Sequence, residues 1–173
     1  MKEEKSNWIL IVFILTFILS VVFSFVSNVV STKFPSGVLF ILLLLTIGIG
    51  VLFDLIGTAA ISANEATFHA KAANKIYGSK KSIELIKNAN RTSSICNDVV
   101  GDICGIISGA LAAGLIIMLW DTPIFAAIIT AIVSSLTVGF KAIGKKMAIK
   151  HADNIVEKVG IIISRIEFKR KEK

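Results

Sequence analysis

Val38–Ser62, VLFILLLLTIGIGVLFDLIGTAAIS, carries a single charged residue, Asp54. About 20 predominantly apolar residues of helix cross the hydrocarbon of a bilayer, so this stretch reads as a transmembrane helix. The turn before it, Ser31 to Gly37, contains Pro35 and Gly37 as breakers. Upstream, Trp8 to Val30 has no charge at all. Its apolar run is too long for a signal-peptide core and no small-x-small cleavage site follows, so it reads as a retained helix.

Downstream, Asn64 to Ser94 is polar with a helical spacing of Phe68, Ala72, Ile76, Ile83 and Ile86. Such a segment suits a helix lying at a cytoplasmic interface, apolar face towards the membrane and lysines towards anionic headgroups. A third span covers Ile95 to Trp120, the connection Asp121-Thr122-Pro123 follows, and a fourth span covers Ile124 to Phe140. The remainder, Lys141 to Lys173, is basic, and its one apolar run, Val159 to Ile163, is too short to cross.

The fold class expected is therefore an all-α membrane protein of about four transmembrane helices, with a cytoplasmic juxtamembrane helical segment between the second and third. Residues 1–37 form the first helix and its turn, 38–158 the main membrane domain with juxtamembrane helices over 64–94, and 159–173 a basic cytoplasmic tail. Composition agrees: 54% of the 173 residues are hydrophobic and 18% charged, with a mean hydropathy of +0.79. A soluble domain of this length has too little interior for that much apolar surface.

The net charge of +7 comes from 19 Lys/Arg, six of them between residues 64 and 94 and ten from Lys141 onward. They flank the apolar spans as the positive-inside rule requires, so both termini and the 64–94 loop are expected in the cytoplasm, with only Lys33 outside. Basic residues interleaved with aromatic ones on a soluble face would mark a nucleic-acid reader, and that pattern is absent. The partners expected are the lipid bilayer and an ion, with no nucleic acid.

Acids within apolar spans cost several kcal/mol on insertion scales and ask for a reason. Asp54, Thr58, Ser62 and Glu65 share one helical face, and Asn97, Asp98, Gly101, Asp102, Gly105 and Ser108 form a similar stripe. Two carboxylates one turn apart, Asp98 and Asp102, repel unless a cation or proton lies between them. Asp54 is either an acid kept neutral or one close to an interface. Facing each other, the two helices offer hard oxygen ligands, which Mg²⁺ or Ca²⁺ prefers. Taken singly, Thr58, Ser62 and Asn97 also fit interhelical hydrogen bonding.

Cys96 and Cys104, eight residues apart, are about 12 Å apart on one helix and read as packing residues. Gly101, Gly105, Gly109 and Ala113 form a small-residue stripe suited to close helix approach, within one subunit or at a dimer seam. His69 and His151 read as surface or interfacial side chains. No phosphate-binding glycine loop, nucleophile elbow or metalloprotease motif occurs, so no enzymatic activity is expected.

Several segments resemble a known family. Ala59-Ala60-Ile61-Ser62-Ala63-Asn64-Glu65-Ala66 resembles the FFSGxEAA signature that closes a membrane helix in the CNNM/CorB/CorC magnesium transporters. Lys87 to Arg91 resembles that family's juxtamembrane helices. Ile95-Cys96-Asn97-Asp98-Val99-Val100-Gly101 is similar to its IGNNLVN helix start, and Phe140 to Val156 to its FGEILPKxLALRxPERIA segment. The order and spacing agree over residues 45–160.

The resemblance implies a homodimeric membrane domain with a cation pocket between the helices bearing Ser62 and Asn97, three family spans and an extra first helix. By position, Ser62, Asn97 and Asp98 would be ligands, and Asp102 adds charge from the same helix. The sequence departs from the family at Cys96, Asp98 and Gly101, at Ala142 where the family has glutamate, and at Lys145 where it has proline. Paired CBS domains are not expected. The function expected is transport of Mg²⁺, then Co²⁺. The alternative is a non-transporting regulatory membrane subunit working with a larger membrane partner. A small four-helix drug exporter fits less well, because the basic loop is long and the first span has no acid.

Overall fold

A computed structural model of the chain describes residues 2–119 and 123–171. All regular elements among them are helical: α1 (Lys2–Lys33), α2 (Ser36–Ser62), α3 (Glu65–Ala73), α4 (Ser79–Lys87), α5 (Ala89–Ser93), a π-helical segment (Ser94–Gly101), α6 (Asp102–Leu119), α7 (Pro123–Lys150) and α8 (Ala152–Lys171). Among the described residues three helices are long and apolar enough to cross a membrane: Ser36–Ser62, Ala89–Leu119 and Ala127–Lys150. The second is one continuous run of α5, the π segment and α6. The expected turn at Asp121 and Thr122 lies outside the described residues.

The chain divides into two compact units. Unit 1 comprises residues up to Val51 together with Val99–Phe140. Pro35 opens α2, its carbonyl accepting from the amides of Val38 and Leu39. Leu39 and Leu43 of α2 pack with Leu111, Ala112 and Leu115 of α6, backed by Leu42, Ile47, Ile107 and Val133. Cys104 is buried, and a Cβ on Gly50 would stand 3.0 Å from the Cys104 Cβ. Cys104 therefore packs a close helix approach, as expected of it. α1 lies against α6. Phe13, Phe17 and Phe25 of α1 and Ile124, Ile128, Ile132 and Leu136 of α7 remain exposed, a surface that only lipid or another apolar chain covers favourably. On α6, Gly109 and Ala113 are exposed and a Cβ on Gly105 or Gly109 would meet nothing within 4 Å, so this part of the small-residue stripe packs against no helix of unit 1.

Unit 2 comprises Leu52–Asp98 and Lys141–Lys173. Here the juxtamembrane segment is three helices, and Phe68, Ile83 and Ile86 of its apolar positions pack against protein while Ile76 is exposed. α2 ends at Asn64, whose extended backbone breaks the helix and whose side chain caps α3 by accepting from the Ala66 amide. α3 ends in a left-handed residue, Lys75 at φ 55°. The Ile76 amide bonds back to the Lys71 carbonyl and the Lys75 amide to that of Ala72, the hydrogen-bond pair of a Schellman ending. Glycine usually holds that position; a lysine there hid the helix end from the sequence reading.

Phe68 is fully buried among Ala59, Ala148, Ala152 and Val156, with Leu55, Ile83 and Ile86 around them. α4 packs on α8 through small residues. Gly78 has φ +87°, and a Cβ there would stand 2.8 Å from the Ile161 amide nitrogen; a Cβ on Gly160 would meet the Ser82 hydroxyl. The buried Ser82 hydroxyl donates to the Val156 carbonyl at 3.1 Å. Ion pairs tie both α3 and α4 to α8, Lys71 to Glu157 and Lys81 to Glu167, each at 2.7 Å. Hydrogen bonds to Glu167 and then Glu84 raise the Lys81 ammonium above its ordinary range. The stretch read as a basic tail is thus the C-terminal part of a packed helix.

Phe68→Ala should lower stability by about 3–5 kcal/mol, the range for emptying a buried phenylalanine site. Ile76→Ala, at a side chain 43% exposed, should change it by less than about 0.5 kcal/mol. Unfolding of the detergent-solubilised protein in rising denaturant separates the two.

Candidate cation site

The π-helical segment is the feature that sequence periodicity did not show. Its residues, Ser94 to Gly101, contain the asparagine and aspartate expected as ligands. A π turn widens the helix and turns side chains out of α-helical register, and such turns recur at functional sites. Side chains line this one. The Asn97 amide nitrogen donates to the Ser93 hydroxyl at 3.1 Å, and the Ser94 hydroxyl donates to Asp98 Oδ2 at 2.9 Å. With its nitrogen so held, Asn97 turns its carbonyl oxygen towards α2.

Gly57 receives it. A Cβ on Gly57 would overlap Asn97 Oδ1 and stand 3.0 Å from the Cys96 Cβ. The asparagine oxygen thus occupies the space where any other residue at position 57 would begin its side chain. Asn97 Oδ1 is buried and accepts no hydrogen bond. A buried carbonyl left in that state costs on the order of 1–3 kcal/mol and calls for an explanation.

One turn earlier on α2 is Asp54, 3% exposed, and its Oδ2 is likewise buried without a hydrogen bond. Residues three apart on a helix have Cβ atoms about 5–6 Å apart. Asn97 Oδ1 thus lies against α2 at residue 57, three residues on from Asp54 and on the neighbouring turn of the same helix. Lys145 of α7 answers the charge: its Nζ is 3.5 Å from Asp54 Oδ2, while its side chain is half-exposed. The contact is an ion pair and makes no hydrogen bond. The Thr58 hydroxyl does not join the carboxylate; it donates to the Asp54 backbone carbonyl.

The residues expected as ligands divide between this place and others. Asn97 is at its centre. Ser62 is exposed and lines a separate cleft of about 400 Å³ with Asn64, Ile149, Lys150, His151, Ala152, Asp153 and Asn154. Five residues of α-helix separate Ser62 from Gly57, a rotation of about 140°, so Ser62 faces away from the Asn97 contact. Glu65 does not extend the Asp54 face, because the helix breaks at Asn64 and Glu65 starts α3. Asp98 is exposed in unit 2, and Asp102 is exposed at the start of α6 in unit 1. His69 and His151 are exposed, His69 beside Glu65 at 3.0 Å.

Asp54 was visible in the sequence as a lone acid. What placed it with Asn97 was the Asp54–Gly57 spacing of three, a signal readable only once the partner of Gly57 is known. Among the described residues no three His, Cys, Asp or Glu side chains converge. The oxygens gathered here are one carboxylate and one amide carbonyl. Mg²⁺ is commonly held by one or two protein oxygens while it keeps several waters, so the donor set suits it.

Compared with protein-family models, curated proteins and solved structures, the chain matches none of them.

Gly57→Ala should displace the Asn97 side chain or push α2 from the π segment, lowering stability by about 1–3 kcal/mol. Gly105→Ala, with nothing within 4 Å of the added methyl, should be neutral or stabilising by up to about 1 kcal/mol. Heat denaturation of the two variants in the same detergent gives the comparison.

Proposed function

We propose that the chain is a divalent-cation transport domain of the cell membrane, taking Mg²⁺ first and Co²⁺ second at an oxygen site within the membrane. The observation that carries this reading is two buried oxygens without hydrogen bonds, Asp54 Oδ2 on α2 and Asn97 Oδ1 against Gly57 one turn further along the same helix, which is long and apolar enough to cross a membrane. Neither oxygen has a hydrogen-bond partner among the described residues, and a cation held between these neighbouring turns would meet both. The two unpartnered atoms are hard oxygen donors, which favours a hard ion. Asp98 and Asp102, both exposed, add negative potential that raises the local cation concentration.

The reading also draws on the resemblance to the CNNM/CorB/CorC transporters, whose helix start aligns with the π segment. In this reading α1 crosses the membrane as well, giving four spans, cytoplasmic termini and a cytoplasmic 64–94 segment, and the working unit is a homodimer. A second reading has its own observation. Lys145 already neutralises Asp54, and Ala142 stands where the family has a glutamate. A chain with such a site would keep the fold without carrying ions, as a regulatory subunit beside a larger membrane partner.

Thermal stability of the purified protein against Mg²⁺ concentration tests the site. A ligand bound only by the folded state adds about 2.7 kcal/mol at 100 times its Kd. The expected result is a saturable rise in Tm that Asp54→Asn and Asn97→Ala abolish and Ser62→Ala leaves intact. A rise unchanged by Asp54→Asn and Asn97→Ala, but lost in Asp98→Asn/Asp102→Asn, would move the site to the exposed carboxylates. Mg²⁺ uptake into vesicles containing the protein then separates the two functions: binding without flux selects the regulatory subunit.

A further inference from the structure

Resting on the cation-site reading, we infer that Lys145 is the site's resident counter-cation: the entering metal ion displaces its ammonium from Asp54, and the ammonium returns when the ion leaves.

Asp54 is 3% exposed in a helix long and apolar enough to span a membrane. A carboxylate in that setting is strongly disfavoured when bare, so something positive must accompany it whether or not an ion is bound. Lys145 supplies that charge at 3.5 Å. It does so loosely. The distance is long for a charge-assisted hydrogen bond, which runs about 2.7–2.9 Å, and Asp54 Oδ2 remains without a hydrogen bond despite it.

The two partners are unequal in burial. The Lys145 side chain is 50% exposed against 4% for that of Asp54. Lysine carries a compact, strongly hydrated charge on a flexible four-carbon stem. Its ammonium can therefore withdraw into water while the carboxylate stays buried. Asn97 Oδ1 completes the asymmetry. It is a second hard oxygen without a hydrogen bond, and no contact to Lys145 is observed for it. A metal ion that also reached Asn97 Oδ1, one turn along α2, would gain two oxygens, whereas the lysine engages one.

Exchange keeps the carboxylate neutralised throughout: one positive charge leaves Asp54 as two arrive. The apparent affinity for the metal is then weakened by the fraction of time that Lys145 holds the site, in the way a binding-competent state that is partly populated weakens any ligand. Lys145 sets the ion concentration at which the site fills, and this assigns a role to the residue that stands where the resembling family has proline.

The test is Mg²⁺ binding by titration calorimetry on the detergent-purified full chain, as parent, Lys145→Gln, Lys145→Arg, Asp54→Asn and the Asp54→Asn/Lys145→Gln double variant. Exchange predicts that Lys145→Gln tightens Mg²⁺ binding on the order of tenfold, while Lys145→Arg, which keeps the charge, stays near the parent. Without Mg²⁺ the Lys145→Gln protein should melt lower than the parent, and either Mg²⁺ or the added Asp54→Asn change should restore it.

If Lys145→Gln binds Mg²⁺ with the parent's affinity while Asp54→Asn abolishes binding, the exchange is overturned and the cation site stands. If Asp54→Asn binds as the parent does, the cation site itself falls and the exchange with it. Should Lys145→Gln not be recoverable, recovery of the double variant still supports the charge pairing. Failure of both would make the lysine purely structural and overturn the proposal.

Discussion

Asp54 and Asn97 each bury an oxygen that has no hydrogen-bond partner, and the local structure is arranged around that condition. A buried carboxylate needs a cation, and a buried amide oxygen needs a donor or a metal. The contact is possible because residue 57 is glycine: any side chain there would occupy the volume that Asn97 Oδ1 takes. On the other helix, the Ser93 and Ser94 hydroxyls hold the polar side chains of the π segment, so Asn97 turns its oxygen, and not its nitrogen, towards α2. Lys145 balances the charge without filling the hydrogen-bonding capacity of either oxygen.

Small residues recur wherever backbones come close. Gly50 faces Cys104 in unit 1, and in unit 2 Gly57 faces Asn97 and Gly160 faces Ser82. Inside a membrane, association between helices gains little from the hydrophobic effect, so close van der Waals packing and hydrogen bonds carry it. The shorter polar helices α3 and α4, with α8, use a different source of stability. They bury Phe68, Ala152 and Val156 with the aid of Ala59 and Ala148 and add the Lys71–Glu157 and Lys81–Glu167 pairs. Partly exposed pairs of this kind contribute modestly, and the apolar contacts dominate.

Periodicity gave α2 within a few residues, because an apolar run of membrane length admits no other regular structure. It stopped the fourth span at Phe140 although α7 continues to Lys150, and it read α8 as a tail. It failed where local rules were overridden. Asn64 to Ser94 kept helical spacing across two helix breaks, the first of them at Lys75, which adopts the left-handed conformation that glycine usually marks. Its apolar positions were assigned to lipid, although Phe68 is covered by Ala148, Ala152 and Val156, because amphipathicity shows that a face is buried without showing what buries it. The stripe from Asp54 through Glu65 assumed an unbroken helix and stopped at Asn64.

From residue order alone came the class of the molecule, its long helices and the short list of polar residues that a bilayer would not tolerate without cause. Those follow from solvation, which acts on each residue in its own segment. Which of the polar residues meet was decided by tertiary structure. Asn97 meets α2 in the space left by Gly57, one turn beyond Asp54, Ser62 turns to another cleft, and Lys145 reaches Asp54 from a helix more than eighty residues away. Such pairings depend on how helices approach and on the register shift of one π-helical segment. Neither is encoded in the spacing of residues along a single helix.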